Sequence, residues 1–142
     1  MKYSSTSTAI FTHPIEAVWN ALTIADQIKA WFFGTNQDTD WTVGSPIFFR
    51  GEWDGKAYED KGTVMSFNPP HSLSYTYWSP MLGNPDVPES YQTITYSLEE
   101  VPEGTKLTIT QSNVETQEKA DHSAENWKMM SVELAKFLDA NK

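Results

Sequence analysis

The sequence predicts an α+β domain in which a long C-terminal helix lies across an antiparallel sheet. Two patterns carry the prediction. Over residues 121–141, Ala124, Trp127, Ser131, Leu134 and Leu138 recur at steps of three and four, the spacing of one helical face, and Met130 and Phe137 widen it. From Trp41 onward the period changes to two, the signature of strands with one buried face. An apolar stripe as wide as that of the last helix needs a broad surface to cover, and the strands are the only such surface upstream. A helix gripping a curved sheet leaves a space between the two, where function is expected.

The elements follow in chain order. Residues 3–11 mix Ser and Thr with Tyr3, Ile10 and Phe11 and read as a first strand. His13 at the cap, Pro14 at the first helical position and Glu16 at the third open a short helix with Ile15, Val18, Trp19 and Leu22 on one face. Thr23 and Asp26 restart a second helix, with Ile24, Ile28, Trp31 and Phe32 as its inner face. Gly34 and the polar run 35–40 end it. Ile47, Phe49 and Gly51 then alternate with Phe48, Arg50 and Glu52 up to the hairpin signal Asp54-Gly55. The next strand runs from about Tyr58 to Phe67 and turns at Asn68-Pro69-Pro70-His71. Further strands centre on Tyr75, Tyr96 and Ile109, the last two joined by the turn Pro102-Glu103-Gly104. The connection 79–90 is long for a hairpin and holds Pro80, Gly83, Pro85 and Pro88 with Met81, Leu82 and Val87, so it reads as a stiff surface loop or a lid.

Length and composition bound the function. A chain of 142 residues reads as one domain, 1–142, able to bury roughly 70% of its unfolded surface. An aromatic share of 13% suffices for a core and an aromatic-lined pocket. With no cysteine, disulfides, thiol catalysis and cysteine zinc sites are excluded. No apolar segment follows Met1-Lys2-Tyr3-Ser4, so neither a signal peptide nor a membrane span is expected and the cytoplasm is the expected location. A formal charge of −9 with a single arginine, Arg50, argues against nucleic-acid and membrane-surface partners.

The stretch from Pro14 to Thr23, then Trp31-Phe32 and Trp41-Thr42-Val43-Gly44, resembles the START-like (SRPBCC) superfamily, and more closely its branch named after the activator of heat-shock-protein-90 ATPase. Asp54-Gly55, Lys61-Gly62-Thr63-Val64, Pro69-Pro70, Leu73 to Thr76, Gly104 to Thr108 and Asn126-Trp127 continue the match in order over nearly the whole chain. The resemblance implies a helix-grip fold: a curved antiparallel sheet, two small helices and a long C-terminal helix enclosing a cavity. Relatives in that superfamily include lipid and hydrophobic-ligand carriers, polyketide cyclases, proteins that sequester reactive natural products, and co-chaperones tied to the stress response. The sequence departs from the usual pattern at Ser131, where many relatives carry a large aliphatic residue. A small hydroxyl there is expected to enlarge and polarise the cavity.

No catalytic constellation is legible. His13, His71 and His122 fall at a helix start, a turn and a helix start, and no triad motif accompanies them. Glu118, Asp121, His122 and Glu125 share a helical face that could hold a divalent ion, yet acids at a helix N-terminus are stabilised by its dipole in any case. No metal and no cofactor are expected. Arg50, by alternation, points outward toward a surface ion pair or a contact with a second copy of the chain. The inward positions offered as ligand-binding are Trp31, Phe49, Met65, Tyr75, Tyr77, Tyr96, Gln111, Trp127, Met130 and Ser131, aromatic walls with a few polar atoms. Three functions compete, in this order. The first is a non-catalytic protein binding a small apolar or aromatic molecule in an internal cavity. The second is a cavity enzyme of cyclase or dehydratase type, for which no inward Asp, Glu or His is seen. The third is a co-chaperone-like protein-interaction module.

Overall fold

A computed structural model describes residues 3–53, 55–80 and 85–141. Asp54 of the hairpin turn, and Met81, Leu82 and Gly83 of the 79–90 connection, lie outside the described residues. The elements are β1 (Tyr3–Phe11), α1 (Ile15–Thr23), α2 (Ala25–Trp31), β2 (Asn36–Asp38), β3 (Pro46–Trp53), β4 (Lys56–Asn68), β5 (Ser72–Tyr77), β6 (Gln92–Val101), β7 (Gly104–Val114) and α3 (Gln117–Ala140). The seven strands form one antiparallel, curved sheet in the order β1-β7-β6-β5-β4-β3-β2. The chain thus has the helix-grip architecture. α3 packs over β1 and β7, α1 touches β6 and β7, and α2 lies against β2. Between α1, α3 and the concave face the core includes Val18, Leu22, Leu73, Leu107 and Leu134, each almost fully buried. Gly104 opens β7 at a φ of +143°, where an added Cβ would lie 2.2 Å from the Phe11 carbonyl oxygen, so only glycine lets β7 start against the end of β1.

Several local expectations shift. α3 begins four residues before 121, at Gln117, because the Thr116 hydroxyl accepts the Lys119 N–H at 3.1 Å and supplies the cap. Pro14, not His13, stands at the start of α1, its carbonyl accepting from Ala17 and Val18. Ile24 rather than Thr23 precedes α2, since the Thr23 hydroxyl donates back to the Trp19 carbonyl at 2.9 Å, and Ile24 is exposed rather than inward. Part of the polar run 35–40 is the edge strand β2, where only Gln37 turns inward. Met65 is the clearest error. A bulge between Val64 and Ser66 breaks the alternation of β4, so Val64 and Phe67 face the core and Met65 is 53% exposed. It lines no interior space.

Candidate functional site

The inward aromatic side chains form one connected row. The Trp127 ring meets Tyr96 edge-on at 5.9 Å, Tyr96 meets Tyr75 edge-on at 6.0 Å, Tyr75 meets Phe49 at 5.5 Å and Phe49 meets Tyr77 at 6.3 Å. Strand pairing dictates this order, because Tyr75 stands beside Val64 on β4 and Ile94 on β6, and each neighbour turns the same face inward. The polar atoms are used within the row. Trp127 Nε1 donates to Gln111 Oε1 at 2.8 Å, and Gln111 Nε2 donates to Gln92 Oε1. The Tyr75 and Tyr96 hydroxyls lie 3.1 Å apart. Burial pushes the Tyr96 hydroxyl up to about 12, against a smaller lowering by its Tyr75 hydrogen bond. Burial likewise raises Tyr75 well above the ordinary tyrosine range, with Tyr96 beside it adding to the effect. Trp31, on α2, is buried and donates Nε1 to the Ala21 carbonyl at 2.8 Å.

At the far end of the row the Tyr77 hydroxyl donates to Asp60 Oδ2 at 2.8 Å, and burial first, then Asp60, raises its pKa. Asp60 Oδ1 is sealed from solvent and has no hydrogen-bond partner among the described residues. This inward acid is the site residue missed from the sequence. Its signal was the Asp54-Gly55 turn: the ladder that pairs Trp53 with Lys56 pairs Phe49 with Asp60. A residue opposite an inward Phe shares its face.

The enclosed space predicted under α3 is almost filled. About 10 Å³ remains there, bounded by Trp31, Trp127, Met130, Ser131 and Leu134, enough for one water at most. The open space is elsewhere, in a groove of about 280 Å³ between β1 (Ser7–Phe11) and α3 (Lys128, Ser131, Val132, Ala135). Ser131 borders both. Its hydroxyl donates to the Trp127 carbonyl at 2.9 Å, so the residue opens room by being small while its polar atom is turned back on the helix. Phe49, Tyr75, Tyr77 and Tyr96 are therefore joined to one another, and of the predicted site only Ser131 reaches the groove.

Arg50 faces outward as expected and makes surface ion pairs with Asp38 at 2.8 Å and Glu59 at 2.6 Å, because β3 runs between β2 and β4; its guanidinium also covers the Phe48 ring at 4.3 Å. His13 is buried, its Nε2 2.8 Å from Asp139 Oδ1, tying the start of α1 to the end of α3. Among the described residues no three His, Asp or Glu side chains gather as metal ligands, and Asp121 instead accepts from Gln117. No helix among them is long and apolar enough to cross a membrane.

Residues 12–139 match the family described as activator of Hsp90 ATPase homolog 1-like protein. The chain belongs to that family. Among solved structures, this member of the activator of Hsp90 ATPase homolog 1-like family is similar to ChR145 from Cytophaga hutchinsonii, at 42% identity over 98% of this chain and 95% of that one, with a TM-score of 0.84. It also shares its fold with CalU16 from Micromonospora echinospora (17% identity, 97% and 86% covered, TM-score 0.75). A third relative in fold is DynU16, from the dynemicin biosynthetic locus (19% identity, 98% of this chain, 48% of that one, TM-score 0.81). No curated protein matches the chain.

Proposed function

We propose that the protein binds a small apolar or aromatic molecule in the groove between β1 and α3, reaching inward past Ser131 toward Trp127 and Met130. The observation that carries this reading is the position of Ser131, the small residue that borders both the 280 Å³ groove and the residual space under the helix. The groove supplies what a ligand site needs: an apolar floor from Ala9, Phe11 and Ala135, with a few polar groups at its margin. Removing a few hundred Å² of ligand surface from water at about 25 cal/mol per Å² leaves micromolar affinity after the costs of association. The formal charge of −9 disfavours a polyanionic ligand, which supports a small apolar partner over nucleic acid. CalU16 and DynU16 share the fold alone.

The test is a titration with N-phenyl-1-naphthylamine, an apolar fluorescent probe, against the parent, Ser131→Leu and Arg50→Ala. The parent should bind in the micromolar range. Ser131→Leu, which fills the groove, should weaken binding about tenfold, or about 1.4 kcal/mol, while remaining folded. Arg50→Ala, on the outer face, should bind like the parent. Unchanged binding by Ser131→Leu together with a loss in Arg50→Ala would place the site on the outer face.

A further inference from the structure

The two edges of the sheet are treated differently by the sequence. β2 is three residues long and carries Asp38, ion-paired with Arg50. Short length and charge are the usual means by which an edge strand is kept from pairing with another chain. β1, at the other edge, has nine residues and neither Pro, Lys, Arg, Asp nor Glu among them. Its only irregularity lies at Tyr3/Ser5, and from Ser5 to Phe11 it pairs regularly with β7, with no strand among the described residues on its other side.

Exposed apolar side chains gather beside this edge. Ile10 on β1 and Met129 and Val132 on α3 are each 52–54% exposed. Ile10 and Val132 both line the open groove, and Met129 stands one helical turn before Val132 on the same side of α3. Among the described residues Lys128 is the only charged one lining the groove, in a chain whose formal charge is −9. The groove lining holds no Asp or Glu, so two copies meeting there bring no carboxylates of that lining together.

We propose that β1 and the adjoining strip of α3 form an interface for a second copy of the chain, with the two β1 strands paired antiparallel about a two-fold axis at Ser7. A two-fold interface must be self-complementary, and this strand is. The pairing puts Thr6 of one copy opposite Thr8 of the other and Ser4 opposite Ile10, all on the exposed face of β1. Thr–Thr cross-strand pairs are favourable, and no like charges meet. The second β1 lies along the open side of the groove and supplies the wall that the monomer lacks.

Sedimentation velocity of the full chain between about 5 µM and about 500 µM, without added ligand, tests the interface independently of the binding reading. The parent should pass from monomer to dimer across that range. Thr8→Lys, at an exposed strand position, and Val132→Glu, at an exposed helix position, should each weaken dimerisation at least about tenfold. Met65→Lys, on a distant exposed site, should leave it unchanged. Backbone amides of β1 should exchange more slowly as the parent is concentrated. A parent monomeric at the highest concentration overturns the proposal, as does a dimer that survives both Thr8→Lys and Val132→Glu.

Discussion

Tyr75 and Tyr96 share a hydrogen bond where water does not reach, so each hydroxyl stays neutral well beyond the pH at which a free tyrosine ionises. The consequence for stability has a definite sign. In the unfolded chain Tyr96 ionises near 10; in the fold it does so near 12. Its contribution is therefore complete below about pH 10 and is lost as pH rises from about 10 through about 12. Two pH units correspond to about 3 kcal/mol. Urea titrations across that window should show stability falling, and Tyr96→Phe should show a shallower fall with a loss of about 1 kcal/mol at neutral pH for the missing hydrogen bond. An equal slope in the two proteins would mean that Tyr96 ionises alike folded and unfolded. Phe49, Tyr75, Tyr96 and Gln111 are legible as inward because alternation fixes the face wherever strand pairing is regular, and Trp31 and Trp127 because helical spacing places them on a buried face. Alternation fails at Met65, where one bulged residue inverts the parity, and Asp60 is legible only through its hairpin partner, the inward Phe49.

At the scale of the element, α3 shows how a periodic stripe is divided by depth. Ala120, Trp127, Leu134 and Leu138 are buried, while Ala124, Met130, Ser131 and Phe137 are only partly covered. Leu134 and Val132 lie two positions apart on one helix, yet Leu134 is 1% and Val132 54% exposed. Leu134→Ala should cost about 2–5 kcal/mol and Trp127→Ala about 3–5 kcal/mol. Val132→Ala should stay within about 0.5 kcal/mol. Chemical denaturation measures all three, and a Leu134→Ala loss below about 1 kcal/mol would show that α3 does not organise the fold. α3 starts four residues before its apolar periodicity, because capping by Thr116 leaves no mark in that periodicity. β2 is not legible in the sequence for a related reason: a three-residue edge strand with one buried side chain has no period to read.

For the whole molecule, binding and folding are linked. A ligand that occupies the groove only when β1 and α3 are in place stabilises the fold, by about 2.7 kcal/mol at a free concentration one hundred times its Kd. The naphthylamine probe should thus raise the melting temperature of the parent by several degrees and that of Ser131→Leu by much less at equal concentration. An equal rise in both would separate binding from the groove.

The sequence by itself determined the fold class, the sheet with its long covering helix and the inward aromatic set, because hydrophobic period is a local property of the chain. It also carried the family, since the matched motifs lie in turns, helix starts and strand ends along nearly all of its length. Whether the space under α3 is a cavity or a packed core was decided only by the tertiary structure. That outcome depends on the summed volumes of side chains arriving from different elements, such as Trp31 from α2 and Trp127 from α3, and on a helix position that leaves the opening beside β1 instead. A row of aromatic residues reads the same in the sequence whether it lines a void or fills it.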